Sequence, residues 1–190
     1  MIIVITPPAS EPVTLAEAKL HCKADSGDDD SLISIYITAA RAAAEHRIGR
    51  ALVTQTLELV LDSFPGNEIE LPHVPVASIT SVKYLDSDGI EQTIAGSDYY
   101  LDNAGLKNWV IPGHGTSWPS SFDAANAVRV RYVAGYGDET KVPGGIKSWI
   151  LLTVGTLYKN RESTIDGTIT SPIPERFYES LLDPYKTWSM

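Results

Sequence analysis

The hydrophobic repeat of this chain changes period at Val53, and that change limits the folds open to it. Before it, Ile33, Ile37, Ala40, Ala44 and Ile48 recur every three or four residues, the spacing that keeps one face of an α-helix apolar. From it, "VTQTLELVL" alternates: Val53, Gln55, Leu57, Leu59 and Leu61 fall on one side, Thr54, Thr56, Glu58 and Val60 on the other. That is the period of a strand. At Pro143 the helical spacing returns, through Ile146, Trp149, Ile150, Thr153, Leu157 and Arg161. Helices, then strands, then helices predict an α+β fold. The expected arrangement is an α-helical core, two N-terminal helices plus a long C-terminal helix, with an inserted antiparallel β domain. Its expected boundaries are 1–52 for the N-terminal helical part, 53–134 for the β domain, 135–163 for the long helix and 164–190 for a C-terminal tail.

Local signals refine this outline. Thr14 and Glu17 have capping-box spacing, and Leu15, Ala18 and Cys22 make a short apolar stripe behind them. "ADSGDDD" reads as a turn whose last aspartates suit a helix N-terminus, and Gly49 suits a left-handed helix stop. In the β region, "ITSVKYL" and "IEQTI" flank the turn "DSDG" as a hairpin, "DYYLDN" and "LKNWVIP" form another pair, and "NEIELP" and "AVRVRYV" add further strands. Arg129 and Arg131 share what reads as the solvated face of the last one. Six or seven short strands predict a small sandwich or barrel. In the tail, "TIDGTITSP" has neither period, whereas Pro174 opens a short amphipathic helix reaching about Leu182, with Phe177, Tyr178, Leu181 and Leu182 near one side. So short a helix needs a partner surface. The expectation is a tail mobile or loosely docked in the free protein.

Charge narrows the functional classes. Fifteen Lys and Arg stand against 24 Asp and Glu, a formal net charge of −9, which disfavours a surface that grips nucleic-acid phosphates. It suits a surface along which DNA passes without sticking. The single cysteine, Cys22, allows no internal disulfide. "MIIVITPPASEP" lacks the basic region of a signal peptide, and no apolar run has membrane-span length, so the expectation is a soluble chain made inside the cell.

The stretches that look most like chemistry have simpler explanations. "VRYVAGYGDETKVPGGIKSW" is rich in glycine, but a phosphate-binding loop needs Gly directly before its Lys, and here Ile146 separates Gly145 from Lys147. Gly135 and Gly137 turning off a strand, then Pro143 opening a helix, account for it. "DSGDDD" and "DSDG" lack the ligand pattern of a calcium loop. His21, His46, His73 and His114 show no metal-ligand spacing. His114, Ser117 and Asp123 are the residue types of a hydrolase triad without a nucleophile elbow. A hydrolase, or a ligand- or carbohydrate-binding module built near Trp109, His114 and Trp118, is the alternative reading. No catalytic residue, cofactor site or metal site is expected, and the chain reads as a non-enzyme.

Four stretches in order resemble the head–tail connector (adaptor, neck) proteins of long-tailed bacteriophages and prophages. They are "PVTLAEAKLHCKAD", "GRALVTQTLELVLDSFP", "LPHVPVASITSVKYLDSDG" and "VRYVAGYG…VPGGIKSWILLTVGTLYKNRES", together most of residues 7–163. The family often has an aromatic residue shortly after the Gln-Thr, where this chain has Leu57, and little matches beyond Ser163. The resemblance implies a helical core carrying a β domain, and a structural virion protein of the neck made in the host bacterial cytoplasm, with another neck or tail-completion protein as the alternative within phages. It further implies a homo-oligomeric ring of about twelve copies under the portal protein, joined head to tail through heterologous contacts. The ring would extend the DNA channel without sequence-specific binding, meet the next neck or tail-completion protein, and touch no membrane. Candidate subunit or portal contacts are Trp149, Tyr158, Arg161, Phe177, Tyr178 and Leu181, with the Ala-rich helix face at 39–44 as another.

Overall fold

The computed structural model describes residues 1–161 and 175–187; the "TIDGTITSP" stretch lies outside them. The chain is α+β and divides into two compact units: Met1–Ala9 with Thr54–Tyr136, and Ser10–Val53 with the chain from Gly137 onward. The first nine residues differ from the expected helical 1–52 segment, because Ile2–Thr6 is a strand, β1, of the β unit.

In the helical unit, Thr14 caps α1 (Leu15–Cys22). Its hydroxyl accepts from the Glu17 N–H at 3.2 Å, and the Glu17 carboxylate accepts from the Thr14 N–H at 2.7 Å. Helix α2 (Asp30–Ile48) buries Ile33, Ile37, Ala40, Ala44 and Ile48, the five residues of its apolar repeat, and ends at Gly49 with φ 69°. Helix α3 (Gly144–Lys159) buries Ile146, Trp149, Ile150 and Val154, and ends before Arg161. The three helices pack on one another. At Gly155 of α3 a Cβ would sit 3.1 Å from His21 Nε2 of α1, so a larger residue there would push the His21 ring aside. Arg41 braces α2 against the chain leading into α1: it donates to Glu11 and to Glu45 at 2.7 Å each, and the second Glu45 oxygen accepts from the Leu52 N–H at 2.9 Å.

The C-terminal segment corrects the expectation of a loose tail. After α4 (Glu175–Ser180) comes a 3-10 turn at Asp183–Tyr185. Leu182 is 0% exposed. Arg50 donates to the Tyr185 carbonyl at 2.5 Å, and the Thr187 N–H and hydroxyl both donate to the Ile48 carbonyl, at 3.0 and 3.1 Å. Thr187 thus occupies a carbonyl that the end of α2 leaves without a helical partner. A Cβ at Gly145 would lie 3.2 Å from the Leu181 carbonyl, which places the first turn of α3 directly against this segment. The single buried leucine and four anchoring contacts explain why the described tail is docked.

In the β unit, the strands are β2 (Gln55–Leu61), β3 (Ile69–Leu71), β4 (Val76–Leu85), β5 (Glu91–Thr93), β6 (Tyr99–Asp102), β7 (Asn108–Pro112) and β8 (Val128–Ala134). They form two antiparallel sheets, β1-β2-β8-β4-β5 and β3-β7-β6. Central β8 turns Val128, Val130, Tyr132 and Ala134 inward. Arg131, expected on a solvated face, is half exposed there and holds buried Glu58 directly across the β2–β8 register, through Nε at 3.0 Å and Nη2 at 2.7 Å. Buried Asn108 of β7 accepts from the Val76 N–H at 2.8 Å, and Tyr132 donates to the Pro72 carbonyl at 2.8 Å. Asn108 therefore ties the smaller sheet to the start of β4. Burial pushes the Tyr132 phenol well above its ordinary value, which keeps it a hydrogen-bond donor.

Leu182→Ala should destabilise the fold by about 2–5 kcal/mol, the range for truncating a buried leucine. Removal of residues 175–190 should lower the thermal midpoint further. A midpoint unmoved by either change would show that the docked segment adds nothing to the fold.

Candidate docking surfaces

The six residues expected to form contacts sort into three environments. Trp149 is 2% exposed, so it belongs to the core rather than to a free docking surface. Its ring stacks on Tyr178 of α4 at 5.2 Å between centroids and 27° between planes, and the Arg47 guanidinium lies over it at 5.5 Å. Arg47 also pairs with Glu179 at 2.5 Å, and the Tyr178 and Thr153 hydroxyls are hydrogen-bonded. Two helices and the C-terminal segment are cemented there by one aromatic pair, one cation–π contact and one ion pair. Leu181 is half-buried beside Gly145. Phe177 alone of the six presents a large apolar side chain outward, at 62% exposure.

Tyr158 and Arg161 are engaged inside the helical unit. Both donate to Asp29 Oδ2, at 2.7 and 2.8 Å, and the Arg161 guanidinium lies 5.0 Å from the Tyr158 ring centre. Asp29 is the N-cap residue of α2, so this contact fastens the end of α3 to the start of α2. The hydrogen bonds from Tyr158 and Arg161 hold the Asp29 carboxyl below the ordinary carboxylate range, while the same bond raises the Tyr158 phenol. The neighbouring Asp30 pairs with Lys19 at 2.5 Å. Two of the "DSGDDD" aspartates, Asp29 and Asp30, thus serve separate structural contacts. Among the described residues, no group of three or more His, Cys, Asp or Glu side chains could hold a metal ion.

On α2, Ala40 and Ala44 face the core, whereas Ile35, Ala39 and Ala42 are exposed. The expected Ala-rich surface therefore divides between a packed face and an open one. An open cleft of about 480 Å³ is lined by His21, Cys22, Leu152, Gly155, Tyr158 and neighbouring residues. Burial pushes the Cys22 thiol up, away from the thiolate that a nucleophile needs.

The β unit does not assemble the alternative sites. His114, Ser117 and Asp123 are each exposed, and no hydrogen bond joins them. Trp118 stacks on Phe64 at 5.1 Å, with Tyr84 tilted 60° against the same Phe64. Trp109 instead meets Lys107 at 5.8 Å and lines an open groove with Leu59, Leu61 and Ile69. The glycine-rich stretch is a joint: β8 ends at Ala134, Gly135 and Gly137 take φ of 128° and 125°, Asp138 caps a 3-10 turn, and Pro143 precedes α3. What sequence reasoning missed in this unit is strand β1, whose signal was a run of β-branched residues ahead of Pro7 and Pro8.

Residues 12–98 match the family of phage gp6-like head-tail connector proteins, the family that the sequence resembles. No curated protein matches this chain in sequence. Among solved structures, a chain in the neck of an empty GTA particle, computed with C6 symmetry, superposes with a TM-score of 0.82 at 23% identity, covering 100% of this chain and 97% of its own. A chain in the virion of the native gene transfer agent particle gives 0.82 at 24% identity with the same coverage. One in the neck of the native GTA particle, computed with C12 symmetry, gives 0.79 at 22%, again with that coverage. These likenesses establish a shared fold.

The Asp29 contact yields a test with a definite sign. Because its folded value is depressed, Asp29 contributes stability that is present above its ordinary value and lost as pH falls through the lowered folded one. NMR titration should place its carboxyl below the ordinary aspartate range, and Tyr158→Phe or Arg161→Ala should move it upward. An ordinary value in the parent protein would show that the contact does not persist in solution.

Proposed function

We propose that this chain is a structural protein of a phage-type virion neck, forming a ring beneath the portal that extends the DNA channel and joins head to tail. The observation that carries this reading is the family match over residues 12–98, which spans α1, α2 and strands β2 to β5. The fold shared with chains from particle necks solved with six- and twelve-fold symmetry supports a ring of copies. A net charge of −9 accords with a conduit that lets DNA slide rather than hold it.

In this reading helices α1, α2 and α3 form the framework, and residues 54–136 of the β unit are inserted in sequence between α2 and α3. The ring needs heterologous contacts, in which one face of each copy meets a different face of the next. Trp149 and Tyr178 fix the C-terminal segment from inside, so that exposed Phe177 is presented as an anchor for the portal. The next neck or tail-completion protein would meet the opposite opening of the ring. In this reading the chain acts by assembly, and His114, Ser117 and Asp123 are exposed loop residues.

Portal rings of the same particle should recruit this protein in co-sedimentation, and Phe177→Ser should weaken that recruitment without changing the unfolding midpoint. Absence of recruitment by excess portal would overturn the connector reading. The triple variant His114→Ala, Ser117→Ala and Asp123→Ala should still be recruited and should support normal particle yield. A specific loss of yield from that well-folded variant would return the hydrolase reading to the front.

A further inference from the structure

The β unit has four sheet edges, and they are not equivalent. An unpaired edge is a row of free N–H and C=O groups that invites another strand, and proteins commonly guard it with charge. Edge β5 carries Glu91, paired with Lys83 at 2.7 Å, and edge β3 carries Glu70, paired with Lys107 at 3.0 Å. Edge β1 carries no charge, and edge β6 carries one only at its end. Ile2–Thr6 has no charged side chain, and Tyr99–Asp102 carries one, Asp102 at its last residue, with no lysine paired to it among the described residues.

Register shows which backbone groups are free. Met1 and Val60 exchange both backbone hydrogen bonds, at 2.9 and 2.8 Å, so Ile3 and Glu58 form the next such pair. The N–H and C=O of Ile2 and Val4 therefore point away from β2. On β6, Gly113 donates to the Asp98 carbonyl at 2.8 Å, which makes Tyr100 and Ile111 the next bonded pair and turns the groups of Tyr99 and Leu101 outward. Among the described residues no strand lies beyond β1 or β6. Side chains at both edges are apolar and open: Val4 is 54% exposed and Tyr100 52%.

We propose that β1 of one copy pairs with β6 of the next, and that this edge-to-edge contact is one of the heterologous joints closing the ring. The proposal rests on the ring reading above. Its occupant is a second copy because each edge supplies what the other lacks. One is aliphatic and β-branched, the other aromatic, a favourable cross-strand combination, and each offers two outward residues. β1 has no charged side chain, so laying it along β6, whose own carboxylate is at its end, brings no second acidic side chain into the joint. Pairing β1 with β6 leaves a free β6 and a free β1 at the two ends of every growing assembly, whereas β1 with β1 would stop at a dimer.

The test uses full-length protein carrying Cys22→Ser, which removes the one native thiol. Val4→Cys copies mixed with Tyr100→Cys copies, as concentrated protein or on portal rings, are treated with a short bismaleimide. A linked dimer should appear in the mixture and in neither variant alone, and the double variant should give a ladder. Val4→Lys should lose the ring while keeping the unfolding midpoint, since that side chain is exposed. Linking within Val4→Cys alone, or rings that form without the mixed link, would overturn the edge pairing and leave the ring reading standing. Absence of any assembly, on portal rings included, would overturn both.

Discussion

The apolar stripe of α2 is the constraint on which the helical unit depends. Ile33, Ile37, Ala40, Ala44 and Ile48 are buried at 0–2% exposure along nineteen residues of helix, and α1 and α3 both pack on that helix. The alanines in the second half let neighbours approach closely, since a small side chain adds little distance between helix axes. The helix ends matter as much as its face. Asp29 at the start holds Tyr158 and Arg161, while the Ile48 carbonyl at the other end receives Thr187. One helix thus gathers residues from α1, from α3 and from the C-terminal segment, which are remote in sequence.

Strand β8 plays the corresponding part in the β unit. It is paired along its whole length with β2 on one side and with β4 on the other, and Tyr132 at its middle is fully buried with its hydroxyl satisfied by Pro72. The Glu58–Arg131 pair spans β2 and β8 with the carboxylate buried and the guanidinium half exposed. That geometry leaves part of the cation's hydration in place, which lowers the penalty that a wholly buried pair would carry.

Local periodicity made much of this legible. The five buried positions of α2, the Thr14–Glu17 cap, the Gly49 stop, the β4–β5 hairpin and the strand-turn-helix joint at Gly135–Pro143 all rest on residues within a few positions of one another. Strand β1 did not announce itself, because consecutive aliphatic residues show no alternation and its partner β2 lies more than fifty residues on. The Arg131–Glu58 pair depends on a register set across 73 residues. Trp149 illustrates a different limit: a helix face reveals that a side is apolar, but not whether the same chain covers it. Here Tyr178 and Arg47 do so. The docked tail hid for the same reason, since Leu182 finds its place on a surface that exists only once α2 and α3 have packed.

The account makes this chain a component of a neck, and its position in a particle is the direct test. Electron micrographs of neck complexes carrying a labelled copy of this protein should show the label in a ring directly beneath the portal, at the same height in every particle. Label on the capsid shell, at the distal tail, or absent from purified particles would contradict the account.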